Sequence, residues 1–302
     1  MTRLHAALAA TVAFTAASTT GMTAQQFRSG TLGVRVDVLV TNGQQLVRGL
    51  DAGDFELRDN GVVQSVSEVE IERIPLNLIL VFDTSTSVAG ERMRFLLQAG
   101  DALLDELRSQ DRAALLSFAS RVRLVAPLTP SRQQIRGALA TLEARGATSL
   151  RDAAFAGLAL REDDPGRTLV LIFSDGDDTS SWLGMPAVLE SAKRTDAVVY
   201  TVALAERRYV ASSLFNRSGE VTVQHAGKFL ESLTEESGGR VIFANSNSDL
   251  RATFTRALAE FRDRYVLSYS PTGVSNTGWH RLEVKLKNKS GKVTARRGYF
   301  AE

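Results

Sequence analysis

Residues 76–87, with the sequence LNLILVFDTSTS, decide the fold of this chain. The first seven form a nearly continuous apolar run, which is typical of a strand buried on both faces of a parallel sheet. The next five, residues 83–87, place a carboxylate and two serine hydroxyls at alternate positions. Ligands of open α/β sheets bind at the carboxyl ends of such strands. The stretch therefore predicts an α/β fold with a polar site at this strand end.

The side chains of Asp83, Ser85 and Ser87 are small, hard oxygen donors that lie close together in sequence. Such donors suit a hard divalent cation such as Mg²⁺ or Mn²⁺. Ser, Thr and Asp also favour ordinary turns and helix caps, so a solvated turn is the alternative interpretation of this motif alone. Two later segments of the chain bear on the choice.

The composition is that of a soluble globular protein of one or two domains. The chain has 302 residues, of which 44% are hydrophobic and 23% charged. The formal net charge of +2 is too small to indicate a nucleic-acid partner. The sequence contains no cysteine, which excludes disulfides, thiolate chemistry and cysteine-ligated zinc.

The N-terminus has the layout of a secretory signal. Arg3 and His5 precede an apolar stretch at residues 6–17, and small residues follow up to Ala24. We therefore expect residues 1–24 to be a signal peptide that is removed on export. The stretch is too short for a membrane span, and no other apolar run approaches that length, so we expect no membrane span in the mature chain. Export predicts a periplasmic, cell-envelope or secreted location.

The pattern of strands and helices divides the rest of the chain into three segments. Residues 31–74 and 264–302 carry strand-like alternation, while residues 75–262 alternate strand and helix patterns. The middle segment predicts a mostly parallel sheet with helices on both faces. Each flank has too few strands to be stable alone. We therefore expect the two flanks to combine into one small β-sandwich in which the α/β domain is inserted.

Two further polar loops follow predicted elements of the α/β domain. Thr148 lies in the loop RGATSL before a helix, and Asp175 follows the buried strand that ends at Phe173. The carboxyl ends of parallel strands meet at one edge of the sheet. We therefore expect Asp83, Ser85, Ser87, Thr148 and Asp175 to converge on one cation, with Mg²⁺ preferred and Mn²⁺ or Ca²⁺ as alternatives.

These three segments together resemble the von Willebrand factor A domain and its metal-ion-dependent adhesion site. That family has an Asp-x-Ser-x-Ser motif, then a Thr in a Gly-x-Thr-type loop, then an Asp that opens an Asp-Gly turn. All five positions are matched here in the same order. The flanks, with Asp59-Asn60-Gly61 and the segments 264–269 and 297–300, are similar to a bacterial exported "VWFA-related" family.

The resemblance implies a role for each residue of the motif. Ser85 and Ser87 would coordinate the cation directly, and Thr148 would do so when a ligand is bound. Asp83 and Asp175 would act through bound water or change between direct and water-mediated contact. Such a site leaves the cation short of negative charge, so it favours a carboxylate of a partner protein, from Asp or Glu, as its sixth ligand.

The leading hypothesis is an exported binding module without enzyme activity. One alternative is a metal-dependent hydrolase, although the metal loops contain no His or Glu to act as a base. Another is a structural envelope protein whose metal only stiffens the loops. Trp182, just past Asp175, would suit an interface hot spot if exposed, and residues 207–226 are expected to form a long polar connection. Asp83→Ala is not expected to unfold the domain, because we expect Asp83 to lie among like charges at a solvent-facing strand end.

Overall fold

The computed structural model describes residues 33–71, 74–160, 166–174, 177–204, 206–212, 217–223 and 227–301, with the backbone alone at 206–212 and 217–223. The expected signal peptide at residues 1–24 lies outside the described residues. In the part of the chain that is described, no helix is both long and apolar enough to cross a membrane.

The described chain contains strands at both ends and alternating strands and helices between them. The strands are β1 (Val34–Asn42), β2 (Gln45–Leu46), β3 (Phe55–Asp59), β4 (Val62–Gln64), β5 (Val66–Glu70), β6 (Leu76–Asp83), β7 (Arg112–Phe118), β8 (Val122–Thr129), β9 (Arg167–Phe173), β10 (Val198–Leu204), β11 (Glu206–Ser212), β12 (Arg217–Val223), β13 (Arg240–Ala244), β14 (Tyr265–Tyr269), β15 (Gly278–Leu286), β16 (Lys292–Ala295) and β17 (Gly298–Ala301). The helices are α1 (Glu91–Asp105), α2 (Arg132–Leu139), α3 (Leu150–Ala159), α4 (Met185–Lys193), α5 (Gly227–Glu236) and α6 (Leu250–Arg262).

A six-stranded sheet forms the centre of the α/β domain, in the order β13-β10-β9-β6-β7-β8. Its pairs are parallel except for the hairpin of β7 and β8. All eight residues of β6 are buried. Its side chains alternate between the two faces, so that Leu80 packs with α1, α2 and α6 whereas Val81 packs with α3, α4 and α5. The apolar run in the sequence thus marks a strand covered on both faces, as expected.

The two flanks form two further sheets, and both sheets contain strands of both flanks. The first has the order β16-β1-β14-β5, with β2 beside β1, so that strands of the C-terminal and N-terminal flanks alternate. The second has the order β17-β15-β3-β4. The fold class predicted from sequence, an α/β domain inserted in a β-sandwich made by the flanks, is confirmed.

Short turns connect the strands of the N-terminal flank. Asn60 and Gly61 form a two-residue connection between β3 and β4, and both have positive φ, +47° and +82°. This is the geometry of a type I′ hairpin turn, which Asn-Gly favours strongly. Asn42 and Gln45 pair in the hairpin of β1 and β2.

The sandwich core contains a buried polar cluster around Asp59. Phe55 of the second sheet packs edge-on against Tyr265 of the first, with ring centroids 5.4 Å apart. The buried Asp59 accepts hydrogen bonds from the hydroxyls of Tyr269 at 2.8 Å and Tyr299 at 2.9 Å. Burial raises the pKa of Tyr299 to about 12, so this hydroxyl stays protonated as a donor to Asp59.

Residues 207–226 contain more regular structure than the sequence indicated. The backbone at 206–212 pairs antiparallel with the backbone at 217–223, so the expected polar connection is largely a two-stranded ribbon. The sequence lacks the strict polar–apolar alternation by which strands covered on one face are recognised. A ribbon that is not part of a larger sheet does not need that pattern.

Arg264 joins the α/β domain to the sandwich. Its side chain is fully buried. The guanidinium donates to Tyr200 Oη at 3.0 Å and to the carbonyl of Gly238 on the α/β side, and to the carbonyl of Thr294 at 3.2 Å in the sandwich. The guanidinium group has five N–H donors in a rigid planar arrangement, so one arginine can donate to acceptors on several elements at once.

A second arginine makes the same kind of connection. Arg167, at the start of β9, forms an ion pair with Asp37 of β1 and donates to the carbonyl of Phe261 at 3.0 Å. Its guanidinium also stacks over the Phe261 ring, 4.4 Å from the centroid. The two arginines therefore hold the sandwich against the inserted domain with polar contacts that are shielded from water.

We predict that Arg264→Met lowers the free energy of unfolding by about 3 kcal/mol, because the carbonyl groups that it serves become buried without a donor. Arg281→Met is the matched control. Arg281 is exposed, with a weak ion pair to Glu283, and its loss should cost less than about 1 kcal/mol. Urea unfolding followed by circular dichroism measures both. Equal midpoints for the two variants would show that Arg264 does not join the domains.

Candidate metal centre

The carboxyl ends of β6, β7 and β9 lie side by side at one edge of the central sheet. Asp83 of β6 is opposite Phe118 of β7, and Phe82 is opposite Phe173 of β9. The polar residues that follow these strands therefore start from neighbouring positions. This is the convergence expected from the sequence, and it follows directly from parallel pairing.

Asp83 lies at the base of this edge, and its side chain is completely buried. One carboxylate oxygen accepts a hydrogen bond from the backbone N–H of Ser85 at 2.8 Å, and the other accepts from Ser174 Oγ at 3.1 Å. The expectation that Asp83 faces solvent is therefore wrong. The parallel neighbours on both sides cover the strand up to its last residue, so a substitution here must keep the shape of the side chain.

Ser85 and Ser87 present their hydroxyls together above Asp83. Their Oγ atoms are 2.9 Å apart, Ser85 is buried and Ser87 is exposed. Two oxygens at adjacent corners of a Mg²⁺ octahedron, with bonds of about 2.1 Å, lie about 3.0 Å apart. The spacing of the two hydroxyls therefore fits two neighbouring positions in the coordination shell of a small hard cation.

Thr86, between the two serines, fastens this loop to the second polar loop. Its backbone N–H and its hydroxyl both donate to the carbonyl of Gly146, at 3.0 Å and 3.1 Å. In return the N–H of Arg145 donates to the carbonyl of Thr84 at 2.7 Å. These backbone contacts fix the second loop against the Asp-x-Ser-x-Ser loop. Sequence reasoning did not identify a role for Thr86 or Thr84.

Gly146 has a conformation that other residues rarely adopt. Its φ is +84°, and a Cβ at this position would lie 2.6 Å from Ser120 Oγ. That hydroxyl accepts a hydrogen bond from the N–H of Ala147 at 2.9 Å. Glycine at this position lets the loop turn tightly between the first motif and Thr148.

Thr148 is buried and connects the second loop to the third. Its N–H donates to Thr179 Oγ1 at 3.0 Å, and its carbonyl accepts from the N–H groups of Thr179 at 2.9 Å and Ser180 at 3.0 Å. Thr148 therefore has a fixed backbone in a loop that is bonded to both of its neighbours. The structure thus brings together the loops that carry Asp83, Ser85, Ser87 and Thr148.

Asp175 lies outside the described residues. The residue before it, Ser174, is buried and donates to Asp83, so the third strand end reaches the same site. This contact was not anticipated from the sequence. Among the residues that the structure describes, no group of three or more His, Asp or Glu side chains is placed to hold a metal ion.

Asp178 stabilises the loop that follows the third strand. It accepts from the N–H of Arg151 at 2.8 Å, from the guanidinium of Arg151 at 3.1 Å and from Ser181 Oγ at 2.6 Å. Burial alone would raise the pKa of Asp178, but these hydrogen bonds outweigh it and lower the pKa below its usual range. Asp178 stays ionised and caps the start of α3.

Trp182 projects from this stabilised loop into solvent. Its side chain is 96% exposed. The N–H groups of Trp182 and Leu183 both donate to the carboxylate of Asp152 on α3, at 3.0 Å and 2.9 Å. The backbone that carries the indole is therefore held in place, while the ring itself is exposed to solvent.

Comparison with known proteins identifies the type of domain. Residues 78–177 match the family model of the von Willebrand factor type A domain. This range starts within β6 and contains the strand ends and the loops described above. The chain therefore contains a von Willebrand factor type A domain, in agreement with the resemblance seen in the sequence.

Two sequence relatives support this assignment. Inter-alpha-trypsin inhibitor heavy chain H4 of Bos taurus is 26% identical over 219 residues, which cover 68% of this chain and 22% of the relative. An uncharacterized protein of Synechocystis is 27% identical over 154 residues, which cover 48% of this chain and 35% of that protein. The matched part is thus about a fifth to a third of the relatives' length.

A solved structure extends the likeness to most of the chain. The von Willebrand factor type A protein from Catenulispora acidiphila has a TM-score of 0.54 at 12% identity. The superposition covers 87% of this chain and 76% of the other. At this identity the likeness establishes the fold and leaves function to the residues of the site.

We predict that Gly146→Ala lowers the free energy of unfolding by about 2 kcal/mol, because a β-carbon here meets Ser120 and is strained at positive φ. Gly137→Ala is the matched control. Gly137 is exposed within α2 and has open space around it, so alanine should stabilise the protein slightly. Thermal melting compares the two. Equal melting temperatures for Gly146→Ala and Gly137→Ala would contradict the inference that a β-carbon is strained at position 146.

Proposed function

We propose that this von Willebrand factor type A domain binds a protein partner through a divalent cation held by Asp83, Ser85, Ser87, Thr148 and Asp175. The partner supplies an Asp or Glu carboxylate to the cation. Mg²⁺ is the preferred ion, with Mn²⁺ or Ca²⁺ as alternatives. The protein carries out this role after export, in the periplasm, in the cell envelope or outside the cell.

The pair of hydroxyls above a buried carboxylate carries this proposal. Ser85 Oγ and Ser87 Oγ are 2.9 Å apart, and Ser87 is open to solvent. Neutral hydroxyls do not cancel the charge of a divalent cation. A cation held in this way keeps affinity for a further anionic oxygen, and only an oxygen from outside the protein can approach from the open side.

The chemistry of the loops argues against a hydrolase. Metal-dependent hydrolysis needs a group that accepts a proton from the attacking water. The three loops at residues 83–88, 145–149 and 174–182 contain no His and no Glu. Asp83 accepts hydrogen bonds on both of its oxygens and is buried, so it is badly placed to take a proton from substrate water.

Trp182 gives the proposed binding face an apolar contact point. Ser180 N–H is bonded to the carbonyl of Thr148, and Trp182 is only two residues further along the chain. Two residues span at most about 7 Å, so the indole lies within reach of a partner that touches the cation. A fixed and exposed tryptophan is the residue type most enriched among binding hot spots.

The metal dependence of partner binding separates this proposal from a purely structural role for the metal. A metal that only stiffens the loops would raise the melting temperature without changing what the protein binds. Affinity capture from the native cell envelope, in Mg²⁺ and then in chelator, tests this directly. A partner retained equally in both conditions would refute metal-dependent capture.

We predict that Ser87→Ala lowers Mg²⁺ affinity about tenfold, because it removes one oxygen ligand of a site with few ligands. Ser248→Ala is the matched control, since Ser246 and Ser248 form another pair of serine hydroxyls, 2.8 Å apart, in a different loop. Isothermal titration with Mg²⁺ measures both proteins. The same affinity in wild type and Ser87→Ala would exclude Ser87 from the coordination shell.

We predict that Trp182→Ala leaves Mg²⁺ affinity unchanged but reduces partner capture in Mg²⁺ by about tenfold or more, as expected for an interface hot spot. Val63→Ala is the control, because Val63 is an exposed apolar residue of the sandwich, 54% accessible. The captured amount of the same partner band is compared across the three proteins. Full capture of the partner by the Trp182→Ala protein would show that the indole is not part of the binding face.

A further inference from the structure

A cavity of about 490 Å³ lies next to the metal loops, and its lining is strongly basic. Thr84, the residue after Asp83, forms part of its wall, together with Arg145 and Gly146 of the second loop. Arg121 and Arg123 line it from the hairpin of β7 and β8. The cavity and the candidate metal centre therefore share the backbone of two loops.

Among the described residues, the arginines of this cavity lack an ion-pair partner. Arg121, Arg123 and Arg145 face it, together with the single carboxylate of Glu143. None of the three arginines forms an ion pair with any residue that the structure describes. Exposed arginines elsewhere do find such partners, as Arg136 does with two aspartates.

The walls of the cavity are fixed although the arginine side chains are exposed. The backbone N–H of Arg145 is bonded to the carbonyl of Thr84, and the N–H of Thr84 is bonded to the carbonyl of Phe118 at 2.7 Å. The N–H of Ala119 closes the hairpin turn by bonding the carbonyl of Arg121 at 3.2 Å. The starting points of the three side chains are thus held at constant separation beside the metal loop.

We propose that this cavity binds a second carboxylate of the partner whose first carboxylate reaches the cation, so that the recognised segment is a run of acidic residues. The inference rests on the proposed function for the first carboxylate. Guanidinium groups bind carboxylates with paired, charge-assisted hydrogen bonds. Positive charge on both the cation and the cavity also steers an acidic segment toward this edge.

The size and position of the cavity fit this ligand. A volume of about 490 Å³ accommodates one or two acidic side chains rather than a folded element. Because Thr84 is adjacent in sequence to Asp83, the cavity wall begins about 4 Å from the Cα atom of Asp83, which is about one residue along an extended peptide. Neighbouring or next-neighbouring acidic residues could thus occupy the cation and the cavity together.

The test uses two labelled peptides, pentaglutamate and a single Glu between two pairs of Gln, with the full chain in Mg²⁺. Fluorescence anisotropy gives both affinities. We expect pentaglutamate to bind about tenfold more tightly than the single-Glu peptide, since each exposed ion pair adds a modest amount. Combined Arg121→Gln, Arg123→Gln and Arg145→Gln should reduce this preference to about twofold or less.

The control has the same change in net charge at a distance from the cavity. It combines Arg251→Gln, Arg256→Gln and Lys292→Gln, all at exposed positions, and should keep the full preference. Arg123→Gln alone, with an unchanged melting temperature, guards against misfolding of the triple variant and should lose part of the preference. A preference that survives in the cavity triple variant, or that the control loses equally, overturns the inference.

The outcomes separate this inference from the proposed function. If Mg²⁺ strengthens both peptides equally in wild type and in the cavity variant, the cation captures carboxylates but the cavity does not take part. If Mg²⁺ has no effect while the cavity arginines still favour pentaglutamate, the cavity binds carboxylates and the metal proposal fails. Displacement of pentaglutamate by an equimolar amount of inorganic phosphate in chelator would assign the cavity to free phosphate and overturn the inference.

Discussion

The parallel pairing of β6 with both β7 and β9 is the constraint on which the candidate site depends. Every residue of β6 is buried, so its register with the neighbouring strands is fixed by packing on both faces. Parallel strands release their loops at the same edge. The polar residues after β6 and β9 can therefore meet without long connections, and short backbone bonds such as Thr86 N–H to Gly146 O are enough to hold the edge together.

Buried arginine side chains contribute to the junction between the inserted domain and the sandwich. Burying a guanidinium costs a large desolvation energy unless its donors are satisfied. Arg264 avoids much of this cost because carbonyl and hydroxyl oxygens of both parts surround it. Since these acceptors lie in fixed directions, the arginine also specifies how the two parts are oriented, which an apolar contact would leave less defined.

The sequence was informative wherever periodicity or a local motif determines the structure. The buried run of β6 and the combination of the flanks into a sandwich were both predicted from short patterns. The carboxyl ends of β6 and β9 lie side by side, as the rule for parallel strand ends predicts, whereas Thr148 is carried by a loop before α3.

What the sequence did not predict depends on contacts between residues far apart in the chain. The burial of Asp83 depends on the strands on either side of it, and its bond from Ser174 spans 91 positions. Arg264 contacts carbonyl groups, which carry no side-chain signal.

The alternation of the two flanks within one sheet has a kinetic consequence. Tyr265 Oη donates to the carbonyl of Val47, 218 positions earlier, so β1 cannot pair with β14 until the inserted domain between them has been synthesised. Closing so long a loop in an unfolded chain is entropically expensive and slow. Because prior folding of the inserted domain would bring the two flanks together, we expect folding to proceed from the middle of the chain outward.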